Sequence, residues 1–162
     1  MTAPVNHQFK LARRPVGMVQ RSDFEYAEAP VAEPREGEVL VKILYISLDP
    51  AMRGWMNEGK SYVPPVGIGE VMRAGAVGRV IASNDPGVAV GDHVVGVLGV
   101  QEYAVAKGKN LTKVDPRLVP LTVFLGPLGM PGVAAYFGWL DVGRPKAGDT
   151  VVVSGAAGAV GQ

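Results

Sequence analysis

The chain has 162 residues, of which 48% are hydrophobic and 19% are charged, a balance typical of a globular domain. Its 16 basic and 15 acidic residues give a net charge of +1, so no excess of charge points to nucleic acid or to an anionic membrane. The absence of cysteine excludes disulfides, thiolate catalysis and thiolate-bound zinc, and two histidines are too few for most histidine metal sites. The first ten residues lack the apolar core of a signal peptide, and no apolar run approaches the roughly 18 residues that span a bilayer. The sequence therefore predicts a cytoplasmic protein.

Short strands separated by turns are predicted over most of the chain, because 22 glycines and 13 prolines lie between apolar runs. The predicted strands are Gln8–Ala12, Phe24–Ala27, Glu38–Leu48, Glu70–Ser83, His93–Val97, Gln101–Ala106 and Leu111–Val114. Their regular spacing favours a small barrel or closed sheet.

The segment Glu38–Leu48 carries the clearest strand pattern and is apolar on both faces, which predicts a central strand. Asp49-Pro50 ends it, since proline cannot donate to a strand ladder. Ala51–Met56 is predicted to form one helical turn, and Tyr62–Gly69 a loop or lid. Two glycines of the following strand, Gly75 and Gly78, are the expected sites of bulges or bends.

The pattern changes after Pro120. Met130–Leu140 is apolar over the length of a helix, with a proline tolerated only near its start. Val151–Val153 predicts a buried strand, because a run of β-branched residues suits a parallel sheet. The glycine-rich segment 155–161 predicts the turn that opens a helix beneath a dinucleotide pyrophosphate. Small residues there let the backbone approach a phosphate.

Three segments together resemble the zinc-free medium-chain reductases. They are Ser47–Gly54 (SLDPAMRG), Leu128–Tyr136 (LGMPGVAAY) and Val153–Gly161 (VSGAAGAVG). Their order and spacing are most similar to those of the NADPH-dependent alkenal, enone and prostaglandin double-bond reductases. The resemblance covers most of the chain.

This resemblance implies a mainly β fold. Residues 1–125 would form a GroES-like, partly closed β-barrel as the catalytic domain, and residues 126–149 a connecting helix and linker. Residues 150–162 would form the first strand and glycine-rich turn of a truncated Rossmann domain that binds NADP.

The resemblance also implies the site residues. Those implied for the substrate are Pro50, Ala51, Met52 and Tyr62. Those implied for the cofactor are Met130, Gly132, Ala134, Gly155, Ala156, Ala157, Gly158, Ala159, Val160 and Gly161. Ala51 stands where the family commonly has tyrosine, and Ala134 where it has threonine, so two hydroxyls near the substrate and nicotinamide are missing. No metal ligand and no proton donor is assigned.

Some of these residues also have a purely structural interpretation. A phenol at Tyr62 could donate a hydrogen bond to a substrate carbonyl, or it could anchor a mobile loop. Pro50, Met52 and Arg53 could wall the substrate cleft, or they could simply end the strand.

The implied activity is hydride transfer from NADPH to the C=C bond of an α,β-unsaturated aldehyde or ketone. Without zinc, hydrogen-bond donors must stabilise the enolate oxygen. The alternatives are a quinone reductase of the same superfamily and a stand-alone GroES-like binding module. The expected partners are a small enal, enone or quinone and a second copy of the chain in a homodimer, and neither nucleic acid nor membrane is expected. The fragment alone is expected to be inactive.

Overall fold

A computed structural model describes residues 4–59 and 61–162. The chain divides into two compact units, Met1–Val114 and Asp115–Gln162. The first unit holds all the strands found among the described residues, and it contains both hydrophobic cores found there. The domain boundaries predicted at residues 125 and 149 remain predictions.

The first unit begins with an antiparallel hairpin of two strands, β1 (Val5–Leu11) and β2 (Phe24–Pro30). The loop between them ends in a short 3₁₀ turn, Arg21–Asp23. β1 begins before its predicted start and ends one residue before its predicted end, whereas β2 continues past its predicted end. Each residue of one strand has a partner in the other, from Val5 opposite Pro30 to Leu11 opposite Phe24.

A five-stranded antiparallel sheet follows. Its strands are β3 (Glu38–Ile46), β4 (Gly75–Ser83), β5 (His93–Val97), β6 (Tyr103–Lys107) and β7 (Thr112–Val114). Their order across the sheet is β6-β3-β4-β5-β7, which confirms the central position predicted for β3. Within the described ranges the sheet stays open, with β6 and β7 at its edges. The mainly β fold is confirmed.

The predicted strand Glu70–Ser83 is interrupted, so β4 begins only at Gly75. The residues before it are extended but pair with β1 instead. Leu11 N donates to Glu70 O at 2.9 Å, and Met72 N donates to Phe9 O at 2.8 Å. A single predicted strand therefore serves two sheets, which links the hairpin to the larger sheet.

The side chains inside the first unit form two clusters. One lies on the five-stranded sheet and comprises Val39, Val41, Ala76, Val80, Val88, Val94, Leu98 and Ala104. The other lies between β1, the segment before β4 and a short helix α1 (Ala51–Trp55), and comprises Leu11, Met52, Met56, Val66, Met72 and Ala74. The second cluster fixes the position of α1, where the predicted substrate residues begin.

The second unit contains the helix α2 (Met130–Phe137), preceded by a 3₁₀ segment, Leu121–Leu125. The predicted helix Met130–Leu140 continues after Phe137 as a wider π-type turn, Gly138–Gly143, in which Arg144 N donates to Trp139 O at 3.0 Å. No helix among the described residues is both long and apolar enough to cross a bilayer.

The strand predicted at Val151–Val153 does not form. These valines are exposed, with 90% of Val152 accessible, and within the described part of the chain no strand pairs with them. A β-branched run favours extended backbone, but a strand also needs a neighbour to accept and donate its hydrogen bonds.

Candidate functional site

The turn that leads from β3 into α1 presents two of the predicted substrate residues. Pro50 stands immediately before α1 with a φ of −54°, a value that the proline ring sets in advance. The turn is closed by two bonds, from Met52 N to Asp49 O at 3.0 Å and from Ser47 Oγ to Asp49 Oδ1 at 3.0 Å. Pro50 and Ala51 are exposed and therefore accessible to a ligand.

Met52 lies on the opposite side of α1. It is only 8% exposed and belongs to the cluster with Leu11 and Met72. Its sulfur also accepts a bond from Asp49 N at 3.4 Å. The structure therefore gives Met52 a structural role, because its side chain holds α1 against the core. Contact between Met52 and a substrate remains a prediction.

Arg53 ties α1 to the loop between β1 and β2. Its Nη2 donates to Pro15 O at 3.2 Å and to Gly17 O at 3.0 Å. Arg14 makes a second tie, since its Nη1 donates to Met56 O at 2.9 Å. These bonds use the guanidinium groups to brace the end of the helix, so the structural interpretation of Arg53 is the one that its contacts support.

Tyr62 lies in the loop after α1 and is 79% exposed. Its hydroxyl oxygen accepts a hydrogen bond from Trp55 Nε1 at 3.1 Å, which brings the phenol to the C-terminal end of α1. The exposed hydroxyl is a hydrogen-bond donor that a carbonyl oxygen could reach. Trp55 was not among the residues predicted from the sequence. Its indole N–H could have indicated a nearby acceptor, because the N–H of a buried tryptophan usually finds a hydrogen-bond partner.

Exposed apolar side chains precede α1 in the chain. The end of β3 and the residues after it leave Leu44, Tyr45, Ile46 and Leu48 exposed. Exposed apolar surface beside a few polar groups is typical of sites that bind small, mostly apolar molecules.

The two histidines lie on different strands, His7 on β1 and His93 on β5. His7 Nδ1 lies 2.6 Å from Glu102 Oε2, and this hydrogen bond raises the pKa of His7 while lowering that of Glu102. Over residues 4–59 and 61–162, no group of three or more histidine, aspartate or glutamate side chains is arranged to hold a metal ion.

In the second unit, α2 carries three of the predicted cofactor residues. Met130 is 78% exposed and Ala134 is exposed, whereas Gly132 is half-buried. A side chain at Gly132 would collide with the carbonyl oxygen of Pro127. The backbone at residue 132 passes so close to that of Pro127 that only glycine fits. This packing explains the glycine without any contact to a cofactor.

The glycine-rich segment 155–161 forms turns, as predicted. Gly155 has a φ of +64°, and its carbonyl oxygen accepts a bond from Gly158 N at 2.8 Å. A side chain at Gly161 would collide with the same carbonyl oxygen. The other four predicted cofactor residues of the segment are exposed: Ala156, Ala157, Ala159 and Val160.

Binding of a dinucleotide requires more than these turns. A pyrophosphate cradle requires a strand, a tight turn and the N-terminus of a helix. The described residues supply the turn, but neither the strand before it nor a helix after it. They do not by themselves fit the cofactor, and the cofactor roles of residues 155–161 remain predictions.

Comparison with known proteins gives the chain its family. Residues 7–114 match the family described as the N-terminal domain of oxidoreductase. The chain is 49% identical over 161 residues to YfmJ of Bacillus subtilis, covering 99% of this chain and 47% of that protein. It is 47% identical over 156 residues to the NADPH-dependent curcumin reductase of Escherichia coli, covering 96% of this chain and 45% of the reductase.

A solved structure is similar in fold as well as sequence. The crystal structure of CurA from Vibrio vulnificus in complex with NADPH superimposes with a TM-score of 0.89 at 44% identity, over 96% of this chain and 46% of CurA. The chain thus spans about half the length of the curated relatives it matches. With the family match over residues 7–114 and the motifs in the expected order, the chain belongs to the N-terminal domains of the oxidoreductases, in the medium-chain reductase branch that its sequence resembles.

Proposed function

We propose that this chain forms the substrate-binding domain of an NADPH-dependent reductase. The reaction is reduction of the C=C bond of α,β-unsaturated aldehydes and ketones, without zinc. The observation that carries the proposal is the 47% identity to the NADPH-dependent curcumin reductase of Escherichia coli over 96% of the chain. The similarity to CurA, whose crystal structure contains NADPH, supports the choice of cofactor.

In this proposal the chain supplies the acceptor side of the reaction. Reduction of an α,β-unsaturated carbonyl at its β-carbon places negative charge on the carbonyl oxygen, which a hydrogen-bond donor can stabilise. Tyr62 is the donor that we assign, because its hydroxyl is exposed beside α1 and its oxygen is held by Trp55. The exposed apolar side chains near Leu48 would cover the rest of the substrate and exclude water.

Pro50 and Ala51 complete the proposed substrate surface. Ala51 leaves room where the family commonly has tyrosine, so we propose that it widens the site. Met52 supports the site from the core and does not need to touch the substrate.

The test uses the full-length protein that carries this chain. Consumption of NADPH is followed with a panel of enals, enones and quinones, and curcumin reductase of Escherichia coli serves as the positive control. We expect loss of NADPH with enals and enones, and saturated carbonyl compounds as the products.

Two results would contradict the proposal. Turnover of quinones alone would favour the quinone reductase. No consumption of NADPH with any acceptor, while the control is active, would favour the binding module. A cytoplasmic location and a homodimer remain predictions.

A further inference from the structure

We propose that Trp55 is a positioning residue of the substrate site, which holds the Tyr62 hydroxyl so that its proton is directed at the substrate carbonyl oxygen. This inference rests on the proposed function. It adds a residue that is absent from the motifs and that acts on the substrate only through Tyr62.

The direction of the Trp55–Tyr62 hydrogen bond follows from chemistry. An indole nitrogen can only donate, whereas a phenol oxygen both donates and accepts. At a distance of 3.1 Å, Trp55 Nε1–H is therefore the donor and Tyr62 Oη the acceptor. The phenol proton takes no part in this bond and stays available for a second acceptor. The 79% exposure of Tyr62 leaves room for that acceptor to arrive from solvent.

Trp55 is itself held from several sides. Its ring packs against the cluster that contains Met52. Its carbonyl oxygen accepts a bond from Val66 N at 2.8 Å, which ties α1 to the loop that carries Tyr62. The Arg73 guanidinium lies 5.4 Å from the indole centroid, and Arg73 Nη1 donates to Pro64 O at 2.9 Å. The indole N–H therefore projects from a fixed frame toward a loop residue.

This arrangement has a chemical consequence. A hydroxyl that accepts a hydrogen bond becomes a stronger donor, because linked hydrogen bonds polarise one another. A donor already oriented before the reaction also spares the cost of reorientation as charge develops. Trp55 should therefore matter more for the rate of the chemical step than for substrate binding.

The kinetic test is a double-mutant cycle in the full-length reductase. Trp55→Phe keeps a ring that can pack under Arg73 and removes the N–H, whereas Tyr62→Phe removes the hydroxyl. With an enone as substrate, we expect Tyr62→Phe to lower kcat by about 10- to 100-fold. We expect Trp55→Phe to lower kcat by about 3- to 10-fold, with little change in KM. Trp139→Phe, the same change at the other tryptophan, should leave kcat unchanged.

The double variant shows whether Trp55 positions the Tyr62 hydroxyl or only supports the loop that carries it. If Trp55 acts through the hydroxyl, Trp55→Phe has no further effect once Tyr62 is phenylalanine. If Trp55→Phe lowers kcat by the same factor in the wild type and in Tyr62→Phe, Trp55 only supports the loop and the inference is overturned. Unchanged kcat in Tyr62→Phe would also overturn it.

A spectroscopic test does not depend on turnover. The chain has two tryptophans, so Trp139→Phe leaves one indole N–H resonance in a proton–nitrogen spectrum of the 162-residue chain. We expect Tyr62→Phe to move that resonance upfield, because its acceptor is lost. An unmoved resonance would overturn the hydrogen bond even in an active enzyme. The two proposals can fail separately. If the full-length protein reduces no enal or enone while Tyr62→Phe still moves the resonance, the proposed function is wrong and the hydrogen bond stands.

Discussion

The ion pair between His7 and Glu102 joins β1 to the residues just before β6. Glu102 Oε2 lies 2.6 Å from His7 Nδ1, and Glu28 Oε1 lies 3.6 Å from Nε2 on the other side of the ring. The hydrogen bond to Glu102 is the main cause that raises the pKa of His7 above its ordinary 6.5. The same bond lowers the pKa of Glu102 below its ordinary 4.5.

These shifts define a pH window for stability. Because the folded pKa of His7 is raised, its contribution is complete below pH 6.5 and is lost as pH rises through the folded pKa. Because the folded pKa of Glu102 is lowered, its contribution is complete above pH 4.5 and is lost as pH falls through the folded pKa. The pair therefore stabilises most between pH 4.5 and 6.5.

We predict that His7→Gln lowers the melting temperature most within that window and least at alkaline pH, where the wild-type imidazole is neutral. Thermal unfolding of both chains across the pH range measures the difference. Glu102→Gln serves as the matched partner variant and should show its largest effect in the same window. An effect of His7→Gln that is as large in alkali as in the window would contradict the account.

At the scale of the element, the two glycines of β4 that were predicted as bulge sites differ in how closely other atoms pack around them. Gly78 is buried opposite Ile43, beside a shift in the β3–β4 register. A side chain there would lie 2.5 Å from Lys42 O and 2.5 Å from Val41 Cγ1. At Gly75 the nearest atom to an added side chain would be Ser47 Cβ at 3.9 Å, an ordinary contact.

We predict that Gly78→Ala destabilises the fold by about 1–3 kcal/mol, because the neighbouring strand must move to admit the methyl group. Gly75→Ala, on the same strand, is the matched control and should change the stability by less than about 0.5 kcal/mol. Urea unfolding of the two variants measures the difference. Equal free energies of unfolding for the two variants would show that close strand packing is not the reason for Gly78.

The helix α2 and the valines after it show that a local sequence pattern does not predict burial or strand pairing. The apolar run with a proline near its start correctly predicted a helix that begins at Met130. The apolar side chains of this helix are nevertheless exposed. Val151–Val153 has strong β propensity, yet a strand exists only where a neighbour completes its hydrogen bonds. Propensity is a property of the segment, whereas pairing belongs to the whole sheet.

At the scale of the molecule, the sequence predicted the mainly β fold, the central strand β3 and the helical turn that begins at Ala51. Alternation and turn residues indicate the strands and the helical turn directly, because these depend on neighbours in the chain. The central place of β3 was predicted from the apolar residues on both of its faces. The pairing of residues 70–72 with β1 could not be predicted, since it joins segments about 60 residues apart.

The candidate site was predicted only in outline. The motif assigned Pro50, Ala51 and Met52 alike to the substrate, whereas the structure leaves Pro50 and Ala51 exposed and buries Met52 in the core. The contact between Trp55 and Tyr62 depends on the path of a loop, which no periodicity records. Side-chain direction and loop path are set by packing, so they required the structure.

The central claim is that the full-length protein carrying this chain reduces a C=C bond with NADPH. The most direct measurement is the position of deuterium in the product when NADPH labelled at its transferable C4 hydrogen reacts with an enone. The account predicts a saturated ketone with one deuterium on the β-carbon and a new hydrogen from solvent on the α-carbon. Deuterium on the carbonyl carbon of an allylic alcohol, or an unlabelled product, would contradict it.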